Sequence, residues 1–156
     1  MNRKSVIAAS CGLLIAGIAS ASAAAASYEG EWVLNAAESH YPPGVPEIKD
    51  HHMTVAKDDG TILKYTDNFI IAGQENHVSF DGTYGGKPST TSNGQIMRVY
   101  HTKAGFRDKW TAPNGASGTD VCDFSADGNT MKCTARFKGP GAAKVMVAHE
   151  VWDRAK

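Results

Sequence analysis

The chain has 156 residues, 16 of them basic and 16 acidic, and its formal charge is zero with histidine neutral. That length fits one domain, and the balanced charge gives no footprint for nucleic acid or for an anionic membrane as partner. No Gly-x-Ser-x-Gly turn, Walker loop or dinucleotide fingerprint occurs, so nothing local marks nucleophilic or nucleotide chemistry, and no cofactor is implied.

The first 26 residues read as a secretory signal peptide. Asn2-Arg3-Lys4 is a short basic start, Val6 to Ile18 is an uncharged apolar run, and Ala21-Ser22-Ala23 and Ala24-Ala25-Ala26 are small-residue cleavage patterns. The run is too short for a comfortable membrane span. Cys11 lies inside it, too early to be an acylated cysteine. Residues 27–156 then form one domain, periplasmic or secreted, with no membrane insertion once the signal is gone. Losing Arg3 and Lys4 leaves 14 basic against 16 acidic residues, a net charge of −2. Two cysteines remain, Cys122 and Cys133, an even count that argues for a disulfide in an exported protein.

Gly30-Glu31-Trp32-Val33-Leu34-Asn35 reads as a first strand that plugs one end of a barrel. Period-two alternation puts Trp32 and Leu34 on one face and Glu31, Val33 and Asn35 on the other. A large aromatic there covers a barrel floor, and the neighbouring glycine permits close approach. In residues 36–46, Pro42, Pro43, Gly44 and Pro46 exclude a long helix or a central strand and leave an extended crossover.

From there the chain reads as strands and turns. Strands are expected near residues 48–57, 61–70, 76–82, 94–102, 105–112, 119–126, 130–138 and 144–153. Asp58-Asp59-Gly60, Lys103-Ala104-Gly105 and Asp127-Gly128 carry hairpin signals. Residues 82–93, with Gly82, Gly85, Gly86, Pro88 and a Ser/Thr run, read as an exposed loop. Regularly spaced antiparallel strands give a meander. Closure into a small all-β barrel of about eight to ten strands is the simplest way to remove its open edges.

Alternation also assigns faces. Met131, Cys133, Ala135 and Phe137 point inward. A two-residue Asp127-Gly128 turn then sets Cys122 opposite Cys133 and Phe124 opposite Met131. Opposed residues about 5.5 Å apart suit a disulfide. A loop this short should stabilise by somewhat under 3 kcal/mol on the chain-entropy model. Across the Lys103-Ala104 turn, Met97, Val99 and His101 share a face with Phe106, Asp108 and Trp110. Met53, Val55, Leu63, Tyr65 and Phe69 form another apolar set that carries His51 and Asp67. This register requires a three-residue bulged turn at Asp58-Asp59-Gly60. The inward face of residues 144–153 is left open between the Val145, Val147, His149, Val151 set and the Met146, Glu150, Trp152 set.

The string Gly30-x-Trp32-x-Leu34-Asn35-x-x-x-Ser39, followed by Tyr41-Pro42-Pro43-Gly44, Asp58-Asp59-Gly60, Phe80-Asp81-Gly82 and a closing Val151-Trp152-Asp153-Arg154, resembles a group of small exported bacterial proteins with a lipocalin-like barrel. The resemblance covers most of the mature chain. It implies the fold and lends no catalytic residues. The Gly-x-Trp element is also similar to the opening of true lipocalins, which bind small apolar molecules.

Two functions from different classes follow. The first is an exported binding protein holding a hydrophobic or aromatic small molecule among Tyr65, Phe69, Met97, Phe106 and Trp110. The alternative is a small barrel enzyme, a lyase, isomerase or hydratase, using His101 and Asp108 in acid–base work, with His51 and Asp67 as a second such pair. A barrel fully packed inside and acting through its surface is a third. No tight metal-ligand spacing links His51, His101 and His149, so no metal is expected.

Overall fold

The computed structural model describes residues 27–156, and the signal-peptide reading of residues 1–26 falls outside the described residues. Ten strands follow in order: β1 (Gly30–Leu34), β2 (Ile48–Asp58), β3 (Ile62–Ile71), β4 (Gln74–Thr83), β5 (Ser89–Thr90), β6 (Ile96–His101), β7 (Gly105–Thr111), β8 (Ser117–Phe124), β9 (Thr130–Lys138) and β10 (Met146–Arg154). Among the described residues there is no helix. All pairings are antiparallel, in the order β4-β3-β2-β1-β10-β9-β8-β7-β6-β5. Apart from β1 against β10, each strand pairs with its neighbour in sequence. The sheet is therefore an up-and-down meander that curls into a nearly closed barrel.

The seam lies between β4 and the β5–β6 hairpin. Ser92 N donates to Ser79 O at 2.9 Å, Gly86 N donates to Val99 O at 3.0 Å, and Tyr84 bridges Val99 in parallel. The short strand β5 is the one element that the glycine-rich stretch 82–93 does not announce. Its pairing partner β6 gives it order that local propensity lacks.

Trp32 is fully buried, and the residues around it seal one end. Its Nε1 donates to Tyr28 O at 2.9 Å. Tyr28 in turn packs on Phe106 and Phe124 at ring-centroid distances of 4.8 and 5.0 Å. The Arg154 guanidinium lies 4.3 Å over the Trp32 ring and donates to the carbonyls of Gly128, Glu29 and Ser27. Gly30 is needed beside it: its φ is +128°, and a Cβ there would meet Arg154 Nη1 at 2.7 Å. The close neighbour that the glycine admits is thus a guanidinium.

Cys122 and Cys133 form the expected disulfide between β8 and β9, and Phe124 faces Met131 as expected. The backbone bond from Ser125 N to Thr130 O makes 122/133 a non-hydrogen-bonded pair, which explains the Cα separation of 4.0 Å rather than 5.5 Å. The turn is longer than the two residues expected. Ser125 and Asn129 bond the Asp127 carboxylate, and this holds its pKa down at about 2, yet the register keeps the same parity.

The β2–β3 register also differs in detail. The extra residue sits within β2, where pairing shifts between Val55 and Lys57, and not in the Asp58-Asp59-Gly60 turn. The effect on faces is the one required: Met53 meets Asp67 and Val55 meets Tyr65. In β10, Ala148, Glu150 and Trp152 face inward, since they pair with the inward Ala135, Cys133 and Met131 of β9.

Candidate functional site

Inward positions change in character along the barrel axis. Toward the sealed end, Val55, Leu63, Phe80, Val99, Cys122 and Met131 are each no more than 3% exposed. Toward the other end, at the starts of β6, β8 and β10 and the ends of β3, β7 and β9, inward side chains are only half-buried. These include Phe69, Trp110, Phe137 and Met146. Water reaches these side chains in part, which makes this the open end, or cup, of the barrel. The crossover segment 35–47 runs past it, anchored on β10 by Val151 N donating to the buried Ser39 Oγ at 3.0 Å.

The floor of the cup is polar. Asp108 and Asp120 are opposed on β7 and β8, and Trp110 Nε1 donates to Asp120 Oδ2 at 3.0 Å. Gly118 makes room for that indole, since a Cβ there would lie 2.5 Å from the ring. Burial and the charge of Asp120 push the Asp108 carboxyl well above the usual carboxylate range. Burial and the charge of Glu150 push Asp120 up to about 6, with the Trp110 and Asp108 hydrogen bonds opposing. Of the two, Asp108 is held more strongly toward the protonated form, in which it donates to Asp120.

Glu150 Oε1 accepts from Tyr41 Oη at 2.9 Å, and Oε2 accepts from Trp152 Nε1 at 3.3 Å. Tyr41 reaches this carboxylate from the crossover. Burial, then the Glu150 charge, raises its phenol pKa strongly. On the facing wall His51 Nε2 bonds Asp67 Oδ1 at 2.8 Å, with the imidazole packed 4.5 Å from Trp152 and 4.9 Å from Phe69. His51 Nδ1 and Asp108 Oδ1 are buried and have no protein hydrogen-bond partner.

All five residues expected to line a ligand site face the interior, but they do not converge on one place. Tyr65 Oη donates to Met97 Sδ at 3.3 Å in the middle of the barrel. Phe69 and Trp110 stand at the open end, while Phe106 belongs to the aromatic seal. Asp108 faces inward as expected, and the carboxyl group it meets is Asp120's. His101 lies at the sealed rim on the same face. It is exposed, donates Nε2–H to Gly60 O at 2.9 Å, and stacks on Tyr84 at 3.6 Å. There it helps close the seam. His149 points outward beside Thr134, and His51 beside Asp67 is the pair that forms.

Sequence reasoning missed Asp120, Glu150 and Tyr41. Asp120 was open to detection, since it shares the face of Cys122 two residues later in β8. Tyr41 sits in an irregular crossover and carries no periodic signal.

A concavity of about 410 Å³ lies at the sealed end, lined by Tyr28, Phe106 and Phe124 and by the β2–β3 and β6–β7 turns. That aromatic seal separates it from the cup. Among the described residues no group of three or more His, Cys, Asp or Glu is arranged to hold a metal ion, and no helix is long and apolar enough to cross a membrane. The disulfide fits an oxidising compartment. No protein-family model matches this chain, and no curated protein or solved structure matches it, so the likeness to lipocalin-like proteins rests on the barrel itself.

Proposed function

We propose that the protein is an exported small-molecule binder, periplasmic or secreted, that takes an apolar or aromatic ligand into the open half of its barrel. One observation carries this reading. Phe69, Trp110, Phe137 and Met146 face inward at the open end and stay partly accessible, which offers apolar surface to a ligand. The test is titration of the refolded domain with N-phenylnaphthylamine, an uncharged dye that brightens in apolar surroundings. Saturable one-to-one binding is expected. Phe137→Arg at the open end should abolish it, while Tyr84→Ala at the sealed rim should leave it unchanged. Binding that survives Phe137→Arg and disappears with Tyr84→Ala would move the site to the other end.

A second reading, a small barrel enzyme, draws on the His51–Asp67 bond at 2.8 Å, which orients an imidazole whose other nitrogen is unpartnered. Replacing His51 by Phe separates the two. A binder keeps its dye affinity. An enzyme would lose roughly 10²–10⁴-fold in turnover of its substrate while dye binding persists.

A further inference from the structure

We propose that the ligand of the open cup carries a cationic head, a protonated amine on an apolar or aromatic body, received by the carboxyl floor of Asp108, Asp120 and Glu150. This rests on the binding reading above and specifies its ligand.

The argument is one of charge balance inside the barrel. Four carboxyl groups face into this half: Asp67 from β3, Asp108 from β7, Asp120 from β8 and Glu150 from β10. Among the described residues no Lys or Arg faces them. Arg107 turns outward over Tyr100, Lys64 pairs with Asp81 on the outer surface, and Arg154 is spent at the sealed end. Among the described residues His51 from β2 is the basic group that faces this half, and Asp67 already takes it. The other facing groups are neutral donors: Tyr41 from the crossover, Tyr65 from β3, and the Trp110 and Trp152 indoles. A floor this acidic holds uncompensated negative potential in a partly dry cup, where a bound cation is worth far more than in water.

The second observation is an unmet bonding group. Asp108 is 5% exposed, and its Oδ1 has no donor from the protein. An ammonium has three N–H donors and no acceptor, which suits the free Asp108 Oδ1, and a carboxylate ligand would face repulsion from Asp120 and Glu150. Aromatic faces complete the fit, since the rim residues Phe69, Trp110 and Phe137 can cover the body of the ligand or the cation itself. Burial holds the Asp108 carboxyl toward its protonated form, so a cation that ionises it on binding releases a proton to solvent.

Three probes with one body and three heads test this: phenylbutylamine, phenylbutanol and phenylbutanoate, titrated calorimetrically at pH 7 in phosphate and in Tris. The amine is expected to bind at least about 10-fold tighter than the alcohol, with the carboxylate weakest. Its apparent heat should differ between the buffers by their ionisation heats, as proton release requires. Asp120→Asn should bring amine and alcohol to within about 3-fold of each other without weakening the alcohol, and Glu150→Gln should act in the same direction should the first variant fold poorly. Amine affinity should also fall as pH drops below about 6, where Asp120 takes up a proton. Equal affinity for amine and alcohol, or tighter binding of the carboxylate, would overturn the cationic head and leave the binding reading standing. Failure of all three probes and of the uncharged dye would overturn both.

Discussion

The two ends of the barrel are made from the same alternating strands and end in opposite chemistry. At the sealed end, inward positions hold Trp32, Tyr28, Phe106 and Phe124, ring against ring, with Arg154 bonded to three carbonyls across them. At the open end, inward positions hold Asp108, Asp120 and Glu150 among aromatics that water partly reaches. One end is arranged to bury area. The other leaves apolar surface wet and carboxylates partly desolvated, both of which cost stability. Inward residues that weaken the fold are better candidates for function than inward residues that strengthen it.

The sharpest way to break this contrast is to truncate a large ring at each end. Trp32→Ala should lower the unfolding free energy in urea by roughly 3–5 kcal/mol, because a fully buried ring leaves a cavity. It also orphans the Tyr28 carbonyl that accepts from the indole. Phe137→Ala at the open end should cost less than half as much, since water already reaches that ring. Similar losses at both sites would mean that the two ends are equally packed.

The disulfide lies on the sealed side of the floor and should matter next. Replacing Cys122 and Cys133 together by alanine removes a crosslink spanning 11 positions and should cost about 2–3 kcal/mol in the same assay. Non-reducing peptide mapping should recover the crosslinked fragment from the wild-type domain.

The open end makes the opposite forecast, a gain. An Asp120 carboxyl pushed up to about 6 binds a proton more tightly folded than unfolded, where its ordinary value is 3.8. This contribution therefore favours the fold below about pH 4 and weakens it as pH rises to 6 and beyond. Asp108, raised further, acts in the same direction over a wider range. Asp120→Asn should accordingly stabilise the domain at pH 7 by about 1–2 kcal/mol and flatten the fall in urea midpoint between pH 4 and 7. A midpoint that rises over that interval in the wild type would show that these carboxyls are not desolvated.

The sequence carried the sealed end more fully than the open one, for a physical reason. Cys122, Phe124, Met131 and Cys133 obey one alternation and one register, so apolar pattern and covalent chemistry agree. The Gly-x-Trp strand announces its own burial. The open end is written in residues whose meaning depends on neighbours several strands away. Asp108 faces inward as alternation demands, but its partner Asp120 becomes visible only when β7 is laid on β8. Glu150 required the inward face of β10 to be decided, and pairing with β9 decides it. Tyr41 arrives from a proline-rich crossover that no periodicity describes. His101 shows the converse failure: its face was legible, but its distance along the barrel axis was not.

His101 therefore supplies the smallest and most discriminating test of the contrast. At the sealed rim its Nε2–H meets Gly60 O at 2.9 Å and its ring stacks on Tyr84, whose hydroxyl donates to Asp58 at 3.0 Å. Phenylalanine keeps a flat ring for the stack and loses the hydrogen bond. Gly60 is exposed, so its carbonyl can turn to water, and the net loss should be about 0.5–1 kcal/mol. The same change should leave dye affinity at the open cup within about twofold, since the Tyr28, Phe106 and Phe124 seal stands between the two places. A drop in dye or amine affinity of tenfold or more in His101→Phe would mean that the seam transmits to the cup or that ligand enters at the sealed end, and the separation of the barrel into a packed half and a binding half would be wrong.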